Sequence, residues 1–378
     1  MDFSAASREW AARVLGCTHT RAALKAELRA PFERVCEQPV SAMRAAHGSA
    51  HEFMCANGHV NLALANVARS RYNNILPFDH GIVRVSRGGF INASWVHFPG
   101  LARENVSPWI ITQGPMHPEF YGEDTTGSFW EMVFEHRAKA VVNLARCEVG
   151  FGGCARYWPI PSDECNARRG AGAGGAGAGA GGGRGAQLYA NEAKPPSVSA
   201  TYGGDNIGGE GLVVTVERCE EIEPGLWRRW ISLRRSPSSA SSSSSVSSSL
   251  PPHLHTLEHF HFENWPNYDV ATDASTTATL LRRIVEASTT GDSRHPIVVH
   301  CSGGVGRSGT FVAAATTLLM CGGYSSDQGD WSSAHFAGIV TAMRQQRHPW
   351  MVEGFEQFHF GARLAAKEIL SASAESTY

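Results

Sequence analysis

The stretch PIVVHCSGGVGRSGTF, residues 296–311, decides how the chain is read. Pro296 to His300 is a short apolar run with the character of a buried strand, and an apolar helix begins near Ser308. Between them Gly303, Gly304 and Gly306 let successive backbone N–H groups turn inward without Cβ interference, and the helix N-terminus adds its positive end. The product is an anion cradle. Arg307 can fork onto two phosphate oxygens, and Ser302 and Val305 complete the loop. The N–H groups that bind phosphate also stabilise a thiolate, so Cys301 at the mouth should have a depressed pKa and act as a nucleophile. A Cys and an Arg six apart are common by chance and buried Cys is usually inert packing; the strand, turn and helix around this pair set it apart. No Lys follows the last Gly and no GxxxxGK[ST] spacing is present, so nucleoside triphosphate hydrolysis is unsupported.

Outward from this segment, Ala274 to Ala287 has the periodicity of an amphipathic helix, and Leu257, His259 and His261 alternate with Glu258, Phe260 and Phe262 as in a strand. Leu212 to Ile222 and Leu226 to Leu233 read as a hairpin about the turn Glu223-Pro224-Gly225. Short apolar runs occur at Ile82 to Val85, Trp109 to Ile111 and Val141 to Leu144, the last preceded by a helical stretch, Ser128 to His136. Strands mixed with helices indicate an α/β or α+β sheet protein. Residues 1–50 read as a helical lead-in, with Trp10, Val14 and Leu15 at helical spacing.

The chain has 378 residues and 40 Gly, but ten of those Gly fall between Gly170 and Gly185. A second biased tract, Ser236 to Ser249, has eleven Ser in fourteen residues. Neither can anchor a core. The expected organisation is therefore one domain over 51–372, interrupted by insertions at about 166–210 and 236–252. A net charge of -2 gives no bulk reason to bind nucleic acid or an anionic membrane. The longest apolar run, Phe311 to Met320, is half the length of a membrane span. The opening residues do not read as a signal peptide, and nine Cys without regular spacing suit a reducing compartment, so a cytoplasmic monomer is expected. His253, His255, His259 and His261 have zinc-like spacing but no nearby Cys, and read as core or surface histidines.

The segment HCSGGVGRSG resembles the signature of the cysteine-based protein tyrosine phosphatases. Further segments resemble the phosphotyrosine-specific branch in the right order: SRYNNILPFDH (70–80), FINASWV (90–96), ITQGP (111–115), FWEMV (129–133), CARYWP (154–159), WPNYDV (265–270) and RQQRHPWMVEGFEQFHF (344–360). The resemblance implies a highly twisted mixed sheet flanked by helices. It implies that Cys301 attacks phosphorus, Arg307 binds the transferring group and Ser308 eases breakdown of the cysteinyl-phosphate. It further implies that Glu148 orients Arg307, His300 supports the thiolate, Tyr72 walls a deep slot for the phosphotyrosine ring and Gln357 positions the hydrolytic water. Neither metal nor cofactor is required, and the partners are phosphotyrosine-containing proteins.

Departures from the family pattern cluster in one place. The family has Asp after Trp265-Pro266, where it protonates the leaving phenolate; here that residue is Asn267. General acid catalysis is worth about 10²–10⁴ in rate, or about 3 to 5.5 kcal/mol of barrier, so an uncompensated change leaves a slow enzyme that still binds substrate. Asp269, where Gly is usual, could serve as the acid if the loop closes in a shifted register, or could be a solvated loop residue. The family Lys that pairs with the loop Asp falls on Gly153, and Glu353 stands in place of a Gln, able to act as a base toward water or to repel phosphate. Asn74 replaces an Asp that grips the substrate backbone. The leading expectation is an active phosphotyrosine-protein phosphatase. Its rival is a phosphotyrosine-binding pseudophosphatase; a phosphoinositide phosphatase is disfavoured by the lack of Lys in the cradle and by Tyr72.

Overall fold

The computed structural model describes residues 1, 3–17, 20–37, 60–87, 89–98, 100–101, 105–148, 152–159, 199–202, 211–235, 254–324 and 331–375. The tract 236–252, and all of 166–210 except 199–202, lie outside the described residues, as does 38–50 of the N-terminal lead-in.

Among the described residues eight strands form one mixed sheet: β1 (Ala93–Val96), β2 (Trp109–Thr112), β3 (Ala140–Asn143), β4 (Ser199–Tyr202), β5 (Leu212–Glu223), β6 (Leu226–Arg235), β7 (Leu254–Phe262) and β8 (Ile297–His300). Their spatial order is β1-β2-β8-β3-β7-β6-β5-β4. The four central strands, β2, β8, β3 and β7, are mutually parallel, and β1 on one side and β6, β5 and β4 on the other join antiparallel. Parallel strands covered on both faces are apolar throughout, and β8 is accordingly Ile-Val-Val followed by a buried His.

Period-two alternation assigns side chains to the two faces. Ile297 and Val299 of β8, Trp109 and Ile111 of β2, and Val142 of β3 enter one core, while Val298, Ile110 and Val141 enter the other. The first core lies under α1 (Ala5–Gly16), α3 (Ala274–Thr289), α4 (Gly306–Leu319), α5 (Ser333–Gln346) and α6 (Phe355–Glu375). The second lies under α2 (Thr126–Glu135) through Phe129, Trp130, Met132 and Val133. The amphipathic α3 starts where Asp273 accepts hydrogen bonds from the N–H groups of Ser275 (2.9 Å) and Thr276 (3.1 Å). The N-terminal α1 belongs to the same core: Trp10 is fully buried and its indole N–H donates to Ser333 Oγ at the start of α5, 2.9 Å.

The hairpin β5–β6 and strands β2, β3, β7 and β8 match the sequence reading. Ile82 to Val85 does not form a strand; Ile82 makes only an isolated bridge to Ser94. Strand β4 lies inside the range expected to be an insertion. No helix among the described residues is long and apolar enough to cross a membrane. No group of three or more His, Cys, Asp or Glu among them is placed to hold a metal ion.

Candidate active site

Ligand sites in parallel sheets form beyond the carboxyl ends of the strands, and the chain leaves the carboxyl end of β8 at His300 to enter the loop Cys301–Arg307. Gly304 has φ +69°, and a Cβ there would stand 2.2 Å from the Thr112 carbonyl oxygen at the end of β2. Only glycine fits that bend. The loop is held from behind by Arg347, which is fully buried: its guanidinium donates to the carbonyls of Gly304 (3.1 Å) and Gly303 (3.3 Å), to Asn92 Oδ1 (2.8 Å) and to Ser94 Oγ (3.2 Å).

Cys301 is 3% exposed, which leaves its sulfur reachable only through the pocket. The Gly304 N–H donates to Sγ at 3.3 Å. Burial by itself would raise the thiol, but the Arg307 charge, the Ser308 hydroxyl and N–H and the Val305 N–H outweigh it and hold the group below the ordinary thiol range. The Ser308 hydroxyl is buried close enough to lower the thiol but makes no hydrogen bond of normal geometry among the described residues.

Arg307 is fixed by backbone and amide oxygens. Its guanidinium donates to the carbonyls of Leu144 (3.3 Å), Trp265 (3.1 Å) and Gly152 (2.6 Å), and to Asn267 Oδ1 (3.0 Å). Glu148, expected to orient this arginine, is exposed and is not among these acceptors. Three carbonyls and the Asn267 amide do that work with neutral groups. A Cβ on Gly153 would stand 2.3 Å from the Glu148 carbonyl, so this stretch packs too tightly for a side chain there.

The segment after Trp265 closes over the cradle. Asn267 and Tyr268 line the pocket with Cys301, Arg307, Glu353 and Gln357. Tyr268 has φ 60°, a left-handed conformation that costs a non-glycine residue energy. Asp269, by contrast, is exposed: its Oδ1 accepts from the N–H of Val270 (2.8 Å), and its side chain does not line the pocket. The shifted register that would carry the Asp269 carboxyl inward is not the one observed. Its backbone carbonyl serves instead, accepting from Trp265 Nε1 (3.0 Å) and Gln357 Nε2 (3.3 Å).

Tyr72 hydrogen-bonds Ser302 Oγ through its hydroxyl, 2.8 Å, and its ring lies against Gly303, 3.3 Å from where a Cβ would stand. With Ile75 and Trp350 it forms an aromatic-lined wall of the pocket. Asn74 is exposed near this wall, and its carbonyl accepts from His348 Nε2 at 3.1 Å.

Beneath Cys301 runs a chain of hydrogen bonds whose ends fix its direction. Arg229 can only donate, to His259 Nδ1 (3.4 Å); His259 Nε2–H then donates to Tyr157 Oη (2.9 Å), which donates to His300 Nε2 (2.5 Å), and His300 Nδ1–H donates to the Cys301 carbonyl (3.0 Å). Burial pushes His300 down to about 3, so it is neutral. His300 therefore supports the loop through the peptide oxygen next to the thiol, not as a charge. Arg347 and Tyr157 were not singled out from the sequence, although both stand in segments that carry the resemblance, and His259 was read there only as a core or surface histidine; it is fully buried.

A family profile described as Protein-tyrosine phosphatase matches residues 66–170 and 210–367. Tyrosine-protein phosphatase non-receptor type 2 of Homo sapiens is 27% identical over 258 residues, covering 68% of this chain and 47% of that protein. Receptor-type tyrosine-protein phosphatase eta of Homo sapiens is 27% identical over 302 residues, covering 78% of this chain and 17% of that protein. The chain thus spans about half of one relative and a small part of the other. In fold it is similar to PTPN18 in complex with HER2 phosphopeptides, with TM-score 0.61, 18% identity and coverage of 90% of this chain and 98% of that one. It is also similar to the Trypanosoma cruzi protein tyrosine phosphatase TcPTP1, with TM-score 0.58, 19% identity and coverage of 92% of each chain.

Proposed function

The chain belongs to the protein-tyrosine phosphatase family, and from that premise we propose that it hydrolyses phosphotyrosine in proteins through a cysteinyl-phosphate intermediate. The observation that carries the reading is the Cys301 thiol, held below its ordinary range and placed in one pocket with the Arg307 guanidinium. A thiolate is the required nucleophile. Arg307 and the loop N–H groups bind the three non-bridging phosphoryl oxygens and stabilise the charge that develops on them. Tyr72 supplies a wall for the substrate ring, and family membership supports a slot deep enough to favour an aryl phosphate over the shorter phosphoserine. Ser308 hydrogen-bonds the sulfur as it leaves phosphorus, and Gln357 holds the attacking water.

A second reading rests on Asn267. Its amide oxygen is engaged with Arg307, and an amide has no acidic proton to give. A site so built could retain phosphotyrosine binding with weak turnover. The separating experiment mixes the full chain with a phosphotyrosine peptide, quenches in acid and counts phosphate on the protein and in solution. The phosphatase reading expects trapped phosphoenzyme and multiple turnovers, both absent in Cys301→Ser. Peptide binding without either product would establish the binding module instead.

A further inference from the structure

We propose that Glu353 is the acid–base group of this site, protonating the leaving phenolic oxygen and then deprotonating the hydrolytic water. The inference rests on the reading of the chain as an active phosphatase and says which residue moves its proton. Asn267 occupies the inward position of the loop and is committed to Arg307, and Asp269 faces outward. Glu353 is exposed too, but it stands at the pocket mouth and is the carboxyl that lines the pocket among the described residues.

Its placement is specific. Glu353 Oε2 lies 3.1 Å from the point a Cβ on Gly306 would occupy, so the carboxylate stands over the rim of the phosphate loop. The Glu353 N–H donates to Gln357 Oε1 at 3.1 Å, which couples the carboxyl-bearing residue to the side chain read as the water holder. Val352, just before it, has φ 59°. A left-handed β-branched residue is a costly conformation, of order 1–3 kcal/mol, that persists where the surroundings demand it. Here it sets the direction from which Glu353 enters the pocket.

The groups that face Glu353 are Arg307 from α4, Tyr268 from the loop after Trp265, and Cys301 at the floor. Although its side chain is exposed at the mouth, partial withdrawal from water among the pocket walls raises its carboxyl above the ordinary range against the lowering pull of Arg307. A phosphate dianion in the cradle adds negative charge on the same side and raises it further. Substrate binding therefore loads the proton that the first step needs.

In that step the Cys301 sulfur forms a bond to phosphorus as the bond to the phenolic oxygen breaks; the oxygen keeps the electron pair and takes the Glu353 proton. In the second, the Glu353 carboxylate takes a proton from water as the water oxygen bonds phosphorus and the S–P bond breaks. Thiolate and protonated Glu353 are restored, and inorganic phosphate leaves.

The test exploits leaving-group acidity, because a good leaving group needs no proton. The single-turnover rate of phenol release, with enzyme in excess, is measured for the full chain and for Glu353→Gln, with a phosphotyrosine peptide (phenol pKa about 10) and with 2,4-dinitrophenyl phosphate. The expected result is a loss of about 10²-fold or more on the peptide, with loss of the alkaline limb of its pH profile, and a loss under about tenfold on the dinitrophenyl ester. Equal slowing of both substrates, or of neither, overturns the assignment, as does a leaving-group-dependent loss in Asp269→Asn instead. Retained peptide binding by Cys301→Ser/Glu353→Gln, against Cys301→Ser alone, guards against a folding defect. A wild-type chain that releases phenol from neither ester overturns the phosphatase reading itself, a different outcome from any of these.

Discussion

Arg347 is the residue whose importance is hardest to see in the sequence and plainest in the structure. Cys301 and Arg307 are legible because strand, glycine turn and helix start are contiguous, so local geometry alone brings them together. Arg347 lies 40 positions after Arg307 in a polar run, where an arginine reads as part of a solvated face. Only the packing of α5 against the loop turns it inward, to four oxygen acceptors and the vicinity of the Cys301 sulfur. Glu148 shows the converse: a carboxylate was expected beside Arg307, yet neutral carbonyls and Asn267 hold it. Arg347→Met should strand those neutral acceptors in a dry site, at a cost of about 1–3 kcal/mol for each one left unsatisfied. It should also move the pH midpoint of Cys301 alkylation by iodoacetamide upward, because a buried positive charge near the thiolate is gone. An unchanged midpoint would mean that Arg347 only braces the loop.

At the scale of elements, short apolar runs located β2, β3 and β8, each apolar up to a polar last residue, and period-two alternation located β7. Such patterning failed at β1, where Ala93 and Ser94 are small and carry little strand signal, and at Ile82 to Val85, where an apolar run packs as an irregular segment. The helix α3 matters beyond its own stability because its cap follows the loop that closes over the pocket. Asp273 is held down to about 2, chiefly by the Thr276 hydroxyl and N–H and by the Ser275 hydroxyl. Asp273→Ala should destabilise the protein by about 0.5–2 kcal/mol, read as a lower urea midpoint, with Asp273→Asn recovering most of the loss. If Asn fails to rescue, the contribution is not that of a cap.

For the whole molecule the buried histidines set the response to acid. Burial pushes His300 and His348 down to about 3 and His255 down to about 4, whereas an unfolded chain titrates them near 6.5. Between those values the unfolded state binds more protons, so stability is fully present above about 6.5 and falls with pH toward 4. Each histidine contributes a slope of about 1.4 kcal/mol per pH unit in that window. Urea midpoints at pH 7, 5.5 and 4.5 should decline steeply, and His255→Gln should flatten the decline. A profile level across this range would contradict the buried neutral state.

The pairing of β6 with β7 has a consequence for the chain's long serine-rich tract. Arg234 pairs with Leu254, so the chain leaves β6 and re-enters β7 at neighbouring register positions. Strand β7 runs parallel to β3, as β3 does to β8, and Leu254 is its first residue. That doorway therefore opens at the amino ends of the central strands, whereas Cys301 follows their carboxyl ends. Closing a loop between fixed neighbours costs only about 0.6 kcal/mol for each doubling of its length. The molecule can thus carry a tract of almost any length and composition at one pole while the chemistry at the other keeps its geometry.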